Sequence, residues 1–185
     1  MILASICSVK VAAMVAVLIT GMSGVGKSTV LGELGRRGHR VVDCDEDAWS
    51  EQVPSADGSG LEQLWREDAV ALLLAEPRAG HLFLAGCAAN QGRFYDRFAA
   101  VVLLSAPREV LLRRLAGRST NAFGKSEVER TRILADLERV EPLLRGSATG
   151  EIRTDQPLAD VVSAVEAFVR PPVGGGEASA TTQLG

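Results

Sequence analysis

Short apolar runs recur along the chain, and stretches that mix apolar and charged residues separate them. Apolar runs of this length, bounded by Gly, Asp or other polar residues, are typical of buried strands. They predict strands at residues 15–20, 40–42, 81–85 and 100–104, and a weaker one at 151–153.

The stretches between these runs carry apolar residues three and four positions apart, which is the spacing of one helix face. They predict helices at residues 27–37, 61–76, 105–118, 127–144 and 157–169. Within residues 61–76, the apolar stripe consists of Leu64, Trp65, Leu72 and Leu73.

Alternating strands and helices predict an α/β fold. We expect a three-layer αβα domain at residues 14–170, in which a five-stranded parallel sheet has helices on both faces and a small lid at about 118–126. Residues 1–13 are an N-terminal extension, and translation can equally begin at Met14. Residues 171–185 are rich in Gly, Ser, Thr, Ala and Pro and predict a disordered tail.

The composition fits one domain with a full core, because the chain has 185 residues and 46% of them are apolar. Its net charge is −3 and only 4% of its residues are aromatic, which argues against nucleic acid as a main partner. The odd number of cysteines, three, argues against a disulfide framework and favours the cytoplasm. The apolar N-terminus is compatible with a signal peptide, but cleavage would remove the first strand. No apolar run reaches the length of a membrane span, and the oligomeric state stays open.

A glycine-rich segment directly after the first strand matches the phosphate-binding pattern GxxxxGK[ST]. We expect its backbone N–H groups to bind a polyphosphate at the start of the next helix. The predicted nucleotide-binding residues of this segment are Gly21, Met22, Ser23, Gly24, Val25, Gly26, Lys27, Ser28 and Thr29. Lys27 would contact the β- and γ-phosphates and Ser28 would bind Mg²⁺, so the predicted cofactors are ATP or GTP with Mg²⁺. A chance match in a glycine-rich turn is the alternative.

Two aspartates, Asp43 and Asp45, follow the second predicted strand. Strand side chains two positions apart point to the same side, so one carboxylate can serve the metal and the other an acceptor hydroxyl. A solvated acidic turn that includes Glu46 and Asp47, or a helix cap, explains the same residues without chemistry.

Together, the phosphate loop, the Asp-x-Asp pair and Leu64-Trp65-Arg66-Glu67 resemble the shikimate kinases and their relatives, the gluconate and nucleoside monophosphate kinases. The resemblance implies that Asp43 lies near Mg²⁺, that Asp45 binds the acceptor and assists its deprotonation, and that Arg66 binds an acceptor carboxylate. It also implies an acceptor contact for Gly86, where the chain departs from the family's Gly-Gly-Gly turn, and for Arg139. Side chains added there, among them Asn90, Gln91 and Arg93, favour a different acceptor.

The same resemblance predicts a lid whose Arg118 stabilises the transferred charge. Arg113 and Arg114 precede it and either contact the nucleotide or lie on an exposed helix face; we assign Arg114 to the nucleotide. Asp155 would pack near the adenine, or simply cap the following helix.

These residues predict an enzyme that transfers phosphoryl from ATP to a hydroxyl of a small polar metabolite. Two alternatives stay open. One is a nucleoside or nucleoside monophosphate kinase that uses Arg66 and Arg93 to bind a phosphate, and the other is a nucleotide-binding regulatory module without kinase activity.

Overall fold

The computed structural model describes residues 15–55, 58, 60–76, 80–117 and 127–169. The predicted extension at residues 1–13, the lid at 118–126 with Arg118, and the tail at 171–185 lie outside the described residues.

Seven strands are described in two sheets. In chain order they are β1 (Ala16–Thr20), β2 (Arg40–Asp43), β3 (Ser50–Pro54), β4 (Leu61–Trp65), β5 (Leu82–Ala85), β6 (Ala100–Ser105) and β7 (Gly150–Arg153). The main sheet has the order β2-β5-β1-β6-β7 and all its pairs are parallel, which confirms the predicted five-stranded parallel sheet. Every residue of β1, β5 and β6 is buried, as expected for inner strands covered on both faces.

The helices lie between the strands along the chain, as predicted. They are α1 (Lys27–Arg36), α2 (Glu67–Ala75), α3 (Arg108–Ala116), α4 (Glu127–Arg139), α5 (Glu141–Ser147) and α6 (Leu158–Glu166), with 3₁₀ helices at Gln91–Arg97 and Ala167–Val169. The prediction of one long helix at 127–144 is wrong. The helix is interrupted at Val140, between α4 and α5, and Pro142 lies in the first turn of α5. Proline is favourable in a first turn and unfavourable in a helix interior.

The prediction of a helix at 61–76 is wrong in its first part. Residues 61–65 form β4, which pairs antiparallel with β3 in a separate hairpin where Ser50 lies opposite Trp65. Trp65 is buried, whereas Leu61 at the other end of the strand is exposed. The helix therefore begins only at Glu67.

Both faces of the main sheet are covered, which confirms the three layers. On one face, Val17 and Ile19 of β1 belong to a core cluster with α1 and α6. On the other face, Leu18 belongs to a cluster with the hairpin residue Trp65 and with α2. Because the strands are parallel, the loops after β1, β2 and β5 emerge at the same edge, where open α/β sheets bind ligands.

Candidate active site

The loop after β1 has a backbone that suits glycine. Gly21, Gly24 and Gly26 have φ angles of 143°, 93° and 104°. Residues that carry a side chain rarely adopt such positive φ angles. A Cβ at Gly21 would lie 2.3 Å from the carbonyl oxygen of Leu104 in β6, so the loop sits directly against the sheet. It leads into α1, whose first N–H groups have no partner within the helix and are suited to an anion.

Lys27 joins this loop to the loop after β2. Its Nζ donates to the Gly21 carbonyl oxygen at 2.9 Å and lies 3.5 Å from Oδ2 of Asp45. The side chain is only 11% exposed, so its ammonium is held at the edge of the sheet rather than extended into solvent. A phosphate bound by the loop would therefore meet a positioned cation.

Ser28 and Asp43 also meet at this edge. The Ser28 hydroxyl donates to Oδ2 of Asp43 at 3.0 Å, and the backbone N–H of Asp45 donates to Oδ1 of Asp43 at 3.1 Å. A hydroxyl and a carboxylate this close fit Mg²⁺, which prefers oxygen ligands and takes most of its shell from water and phosphates. Within the described ranges, no group of three or more His, Cys, Asp or Glu side chains could hold a metal alone.

The second oxygen of Asp45 is held by the loop after β5. Its Oδ1 accepts hydrogen bonds from the backbone N–H of Cys87 at 2.9 Å and from Nε2 of Gln63 at 3.3 Å. A Cβ at Gly86 would lie 3.2 Å from the same Oδ1 and 3.1 Å from Trp65, so glycine allows this close approach. The structure thus brings Lys27, Ser28, Asp43, Asp45 and Gly86 together.

A cavity of about 490 Å³, here called the loop cavity, lies between the phosphate loop, α1, α3 and the turn after β7. Arg114 lines it and donates to the carbonyl oxygens of Val25 at 3.2 Å and Thr154 at 2.6 Å, and to Oγ1 of Thr154 at 2.9 Å. Arg113 is exposed. The structure therefore separates the two arginines and places Arg114 beside the loop.

Asp155 does not line the loop cavity, although its neighbours Thr154 and Gln156 do. Its carboxylate pairs with Arg153, at 3.0 and 2.6 Å, and these hydrogen bonds lower the pKa of Asp155 below its ordinary value. It does not cap the next helix, whose N-cap is Pro157.

A second and larger cavity, of about 1120 Å³, is called the hairpin cavity. The β3–β4 hairpin, the segment after β5, and helices α4 and α5 line it, and Arg139 and Cys87 are among the lining residues. Cys87 also binds Asp45, so this cavity adjoins the aspartate pair.

Arg66 and Arg93 are not among the residues that line the hairpin cavity. Arg66 lies 3.4 Å from Glu51 of the hairpin and donates to the Asp47 carbonyl oxygen at 3.2 Å. Arg93 forms an ion pair with Glu67. In this conformation, both guanidinium groups bind the protein's own acceptors.

The amino-acid sequence from β1 into α4 identifies the family. Residues 17–135 match a family model described as an AAA domain. The chain belongs to this family. Among curated proteins, none matches the sequence.

Solved structures share the fold of this AAA domain. Shikimate kinase from Acinetobacter baumannii, in complex with shikimate, matches with a TM-score of 0.60 and 21% identity over 85% of this chain and 94% of that one. Shikimate kinase from Bacteroides thetaiotaomicron matches with a TM-score of 0.60 and 20% identity over 85% and 99% of the two chains. A gluconokinase from Sinorhizobium meliloti 1021 matches with a TM-score of 0.53 and 20% identity over 83% of this chain and 90% of that one. The predicted P-loop kinase fold is therefore confirmed.

Asn90 has a role in the domain that sequence reasoning missed. Its side chain accepts from the backbone N–H of Trp65 at 2.8 Å and donates to the carbonyl oxygen of the same residue at 2.9 Å. It thereby mimics a neighbouring strand and fixes the end of the hairpin to the segment after β5. The sequence shows only an Asn in a predicted turn. Its partner, Trp65, lies 25 positions away, so local spacing could not predict the contact.

Cys44 and Cys87 are free cysteines near the aspartate pair. Burial raises the pKa of Cys44 to about 12, and burial also raises the pKa of Cys87 above its ordinary value. Both therefore stay protonated near neutral pH and are poor nucleophiles. The described part of the AAA domain contains no helix long and apolar enough to span a membrane.

Proposed function

We propose that the protein is a kinase that uses ATP and Mg²⁺ to phosphorylate a hydroxyl of a small polar metabolite in the cytoplasm. The observation that supports it most directly is the meeting of Lys27 with Asp45 and of Ser28 with Asp43 at one edge of the sheet. Phosphoryl transfer requires groups that bind the phosphates, Mg²⁺ and the acceptor. The edge offers a phosphate cradle, a cation, two Mg²⁺-compatible oxygens and a carboxylate beside a second cavity. The shared fold of shikimate kinases and a gluconokinase agrees with it.

The proposed roles follow from these positions. The loop amides and Lys27 hold the phosphates, while Ser28 and Asp43 hold Mg²⁺, which neutralises charge on the phosphates when it is bound. Asp45 orients the acceptor hydroxyl and accepts its proton. Arg118 remains proposed as a residue that stabilises the transferred charge.

The hairpin cavity is the proposed acceptor site, with Arg139 on its wall. Arg66 and Arg93 can join the acceptor only by leaving Glu51 and Glu67. Both ion pairs are exposed, and exposed pairs contribute at most about 1 kcal/mol, so an acceptor carboxylate can replace them. Gly86 keeps its proposed place beside Asp45, and Arg114 supports the nucleotide through the phosphate loop.

The test is an ADP-release assay with ATP, Mg²⁺ and a panel of acceptors: shikimate, D-gluconate, myo-inositol, uridine and UMP. We expect shikimate, D-gluconate or myo-inositol to stimulate ADP release. Asp45→Asn should abolish that stimulation, whereas Glu46→Gln, a neutralisation at the exposed neighbouring position, should preserve it.

The alternatives give different results. Stimulation by uridine or UMP alone would contradict the metabolite kinase and favour a nucleoside or nucleotide kinase. Tight ATP binding with no stimulation by any acceptor would instead favour a regulatory nucleotide-binding module. Stimulation that survives Asp45→Asn would contradict the role proposed for that carboxylate.

A further inference from the structure

A buried amide lies between the end of β1 and the hairpin cavity. Gln91, the first residue of the 3₁₀ helix Gln91–Arg97, is only 3% exposed. Its Oε1 accepts from the hydroxyl of Thr20 at 3.3 Å and from the backbone N–H of Ala88 at 3.2 Å. Its Nε2 donates to the hydroxyl of Tyr95 at 2.7 Å.

The direction of this hydrogen bond to Tyr95 is fixed by the backbone. The N–H of Ala88 can only donate, so the side-chain atom of Gln91 that it meets must be the oxygen. The amide NH₂ group then faces Tyr95 and donates to its hydroxyl oxygen. The hydroxyl proton of Tyr95 is therefore directed to a different acceptor atom.

Tyr95 lines the hairpin cavity together with Gln91, Met22 and Cys87. Among the described residues, no second partner of the Tyr95 hydroxyl is found. The Tyr95 hydroxyl is thus a donor with no protein acceptor among the described residues, on a side chain that lines the cavity next to the segment that binds Asp45.

We propose that Tyr95 is a specificity residue whose hydroxyl donates to an oxygen of the phosphate acceptor. This inference rests on the proposed function and adds a requirement to it. Besides the hydroxyl that is phosphorylated, the acceptor carries a second oxygen, in a hydroxyl or carboxylate, that accepts a hydrogen bond. An amine in that position is disfavoured because its protonated form would place a donor against a donor.

Two variants test the direction of the hydrogen bond with the acceptor that the panel identifies. Tyr95→Phe removes the hydroxyl. Gln91→Glu keeps the shape but replaces the donating NH₂ with a carboxylate oxygen, so the Tyr95 proton turns away from the cavity. Both should raise the acceptor KM roughly 3- to 30-fold, the effect of one lost hydrogen bond, while the KM for ATP changes less than about two-fold.

A second measurement requires no variant. Tyr95 is the only tyrosine of the chain, so ¹³C labelling of tyrosine ζ-carbons gives one assigned NMR signal. We expect this signal to shift when shikimate, D-gluconate, myo-inositol, uridine or UMP binds. A purely structural Tyr95, which only supports the 3₁₀ helix, would leave both the signal and the acceptor KM unchanged.

The outcomes separate the two proposals. Phosphorylation with the same acceptor KM in wild type and Tyr95→Phe overturns the inference and leaves the kinase standing. A shift of the Tyr95 signal without phosphorylation of any panel compound supports the ligand contact and contradicts the kinase. Neither phosphorylation nor a shift overturns both.

Discussion

Lys27 begins α1 and Asp45 lies in the loop after β2, yet the Nζ of Lys27 lies 3.5 Å from Oδ2 of Asp45. The pair connects the phosphate loop with the loop after β2, which lies beside the proposed acceptor site. A bound triphosphate would attract the Lys27 ammonium, which would free the oxygen of Asp45 for an acceptor hydroxyl. Nucleotide binding would therefore prepare the acceptor site.

Replacing Lys27 with Ala should weaken ATP binding about 10- to 100-fold, because a charge-assisted hydrogen bond to phosphate is lost. Isothermal titration calorimetry with Mg²⁺-ATP measures this effect. Arg36→Ala is the control, since Arg36 is an exposed cation at the other end of α1 that pairs with Glu33. Equal ATP affinity in wild type and Lys27→Ala would contradict a phosphate-binding role for the loop.

The two neighbouring arginines of α3 should differ in their effect on nucleotide. Arg114→Ala removes the contacts that hold Val25 and Thr154, so we expect a higher KM for ATP with little change in the acceptor KM. Arg113→Ala, at an exposed position, should leave both values near wild type. Steady-state kinetics with both substrates varied checks this, and equal effects of the two variants would argue against the placement of Arg114 beside the nucleotide.

Two glycines on either side of Lys27 should respond to alanine in opposite directions. Gly21→Ala combines a φ angle of 143° with a Cβ only 2.3 Å from a backbone oxygen, so it should lower the free energy of unfolding by about 3 kcal/mol or more. Gly32→Ala lies in α1 with no atom within 4 Å of its Cβ and should stabilise by about 0.5–1 kcal/mol. Urea unfolding measures both, and a well-tolerated Gly21→Ala would show that the loop conformation is not required.

Asn90→Ala should loosen the hairpin. It leaves the N–H of the buried Trp65 without the partner that Asn90 supplies, at a cost of about 2–3 kcal/mol in the free energy of unfolding. Gln52→Ala, at an exposed position of the same hairpin, should stay within about 0.5 kcal/mol of wild type. Denaturant unfolding followed by tryptophan fluorescence compares them. Equal free energies of unfolding for the two variants would show that Asn90 does not stabilise the hairpin.

Acid should weaken the attachment of α5 to β7. Arg145 of α5 donates to Glu151 of β7 at 2.7 and 3.0 Å, and these hydrogen bonds lower the pKa of Glu151 from 4.5 to about 2. Because the carboxylate form is favoured by folding, the stabilisation is complete above pH 4.5 and is lost as the pH falls toward 2. Both side chains are partly exposed, so solvent screening reduces the contribution to about 1 kcal/mol.

Glu151→Gln tests this assignment. It should lower the free energy of unfolding by about 1 kcal/mol at pH 7, and the difference from wild type should disappear near pH 2. Glu51→Gln, at a more exposed ion pair, should show a smaller change. Urea titrations across this pH range measure both, and a difference that persists unchanged at pH 2 would exclude the proposed origin.

Local patterns were sufficient for the main sheet and the phosphate loop. The apolar run of β1 and the glycines after it are local signals, and the alternation of strands with helices predicted the parallel sheet, although not its strand order. The hairpin was missed because Leu61, Leu64, Trp65 and Leu72 fit the spacing of a helix face as well as part of a strand. Pairing with β3 and the hydrogen bonds from Asn90, both non-local, decide in favour of the strand.

Other non-local contacts explain why residues of the proposed acceptor site could not be placed from the sequence. Arg66 was expected at a substrate, but its position depends on Glu51, which only the hairpin brings near. Tyr95 and Gln91 gain their geometry from Thr20, 71 positions before Gln91. No spacing rule connects residues so far apart, whereas the Asp43 and Asp45 carboxylates follow directly from one strand end.

The β3–β4 hairpin pairs with itself and lies outside the five-stranded sheet, although it forms a wall of the larger cavity. Three of its cavity-lining residues, Gln52, Leu61 and Glu62, take no part in that sheet, whereas Trp65 is buried in the core and Gln63 donates to Asp45. Exchange of these three residues should change which acceptor the proposed site binds, while nucleotide binding stays the same. Under the proposed function, these three positions are therefore where selectivity can change independently of the core and of the nucleotide site.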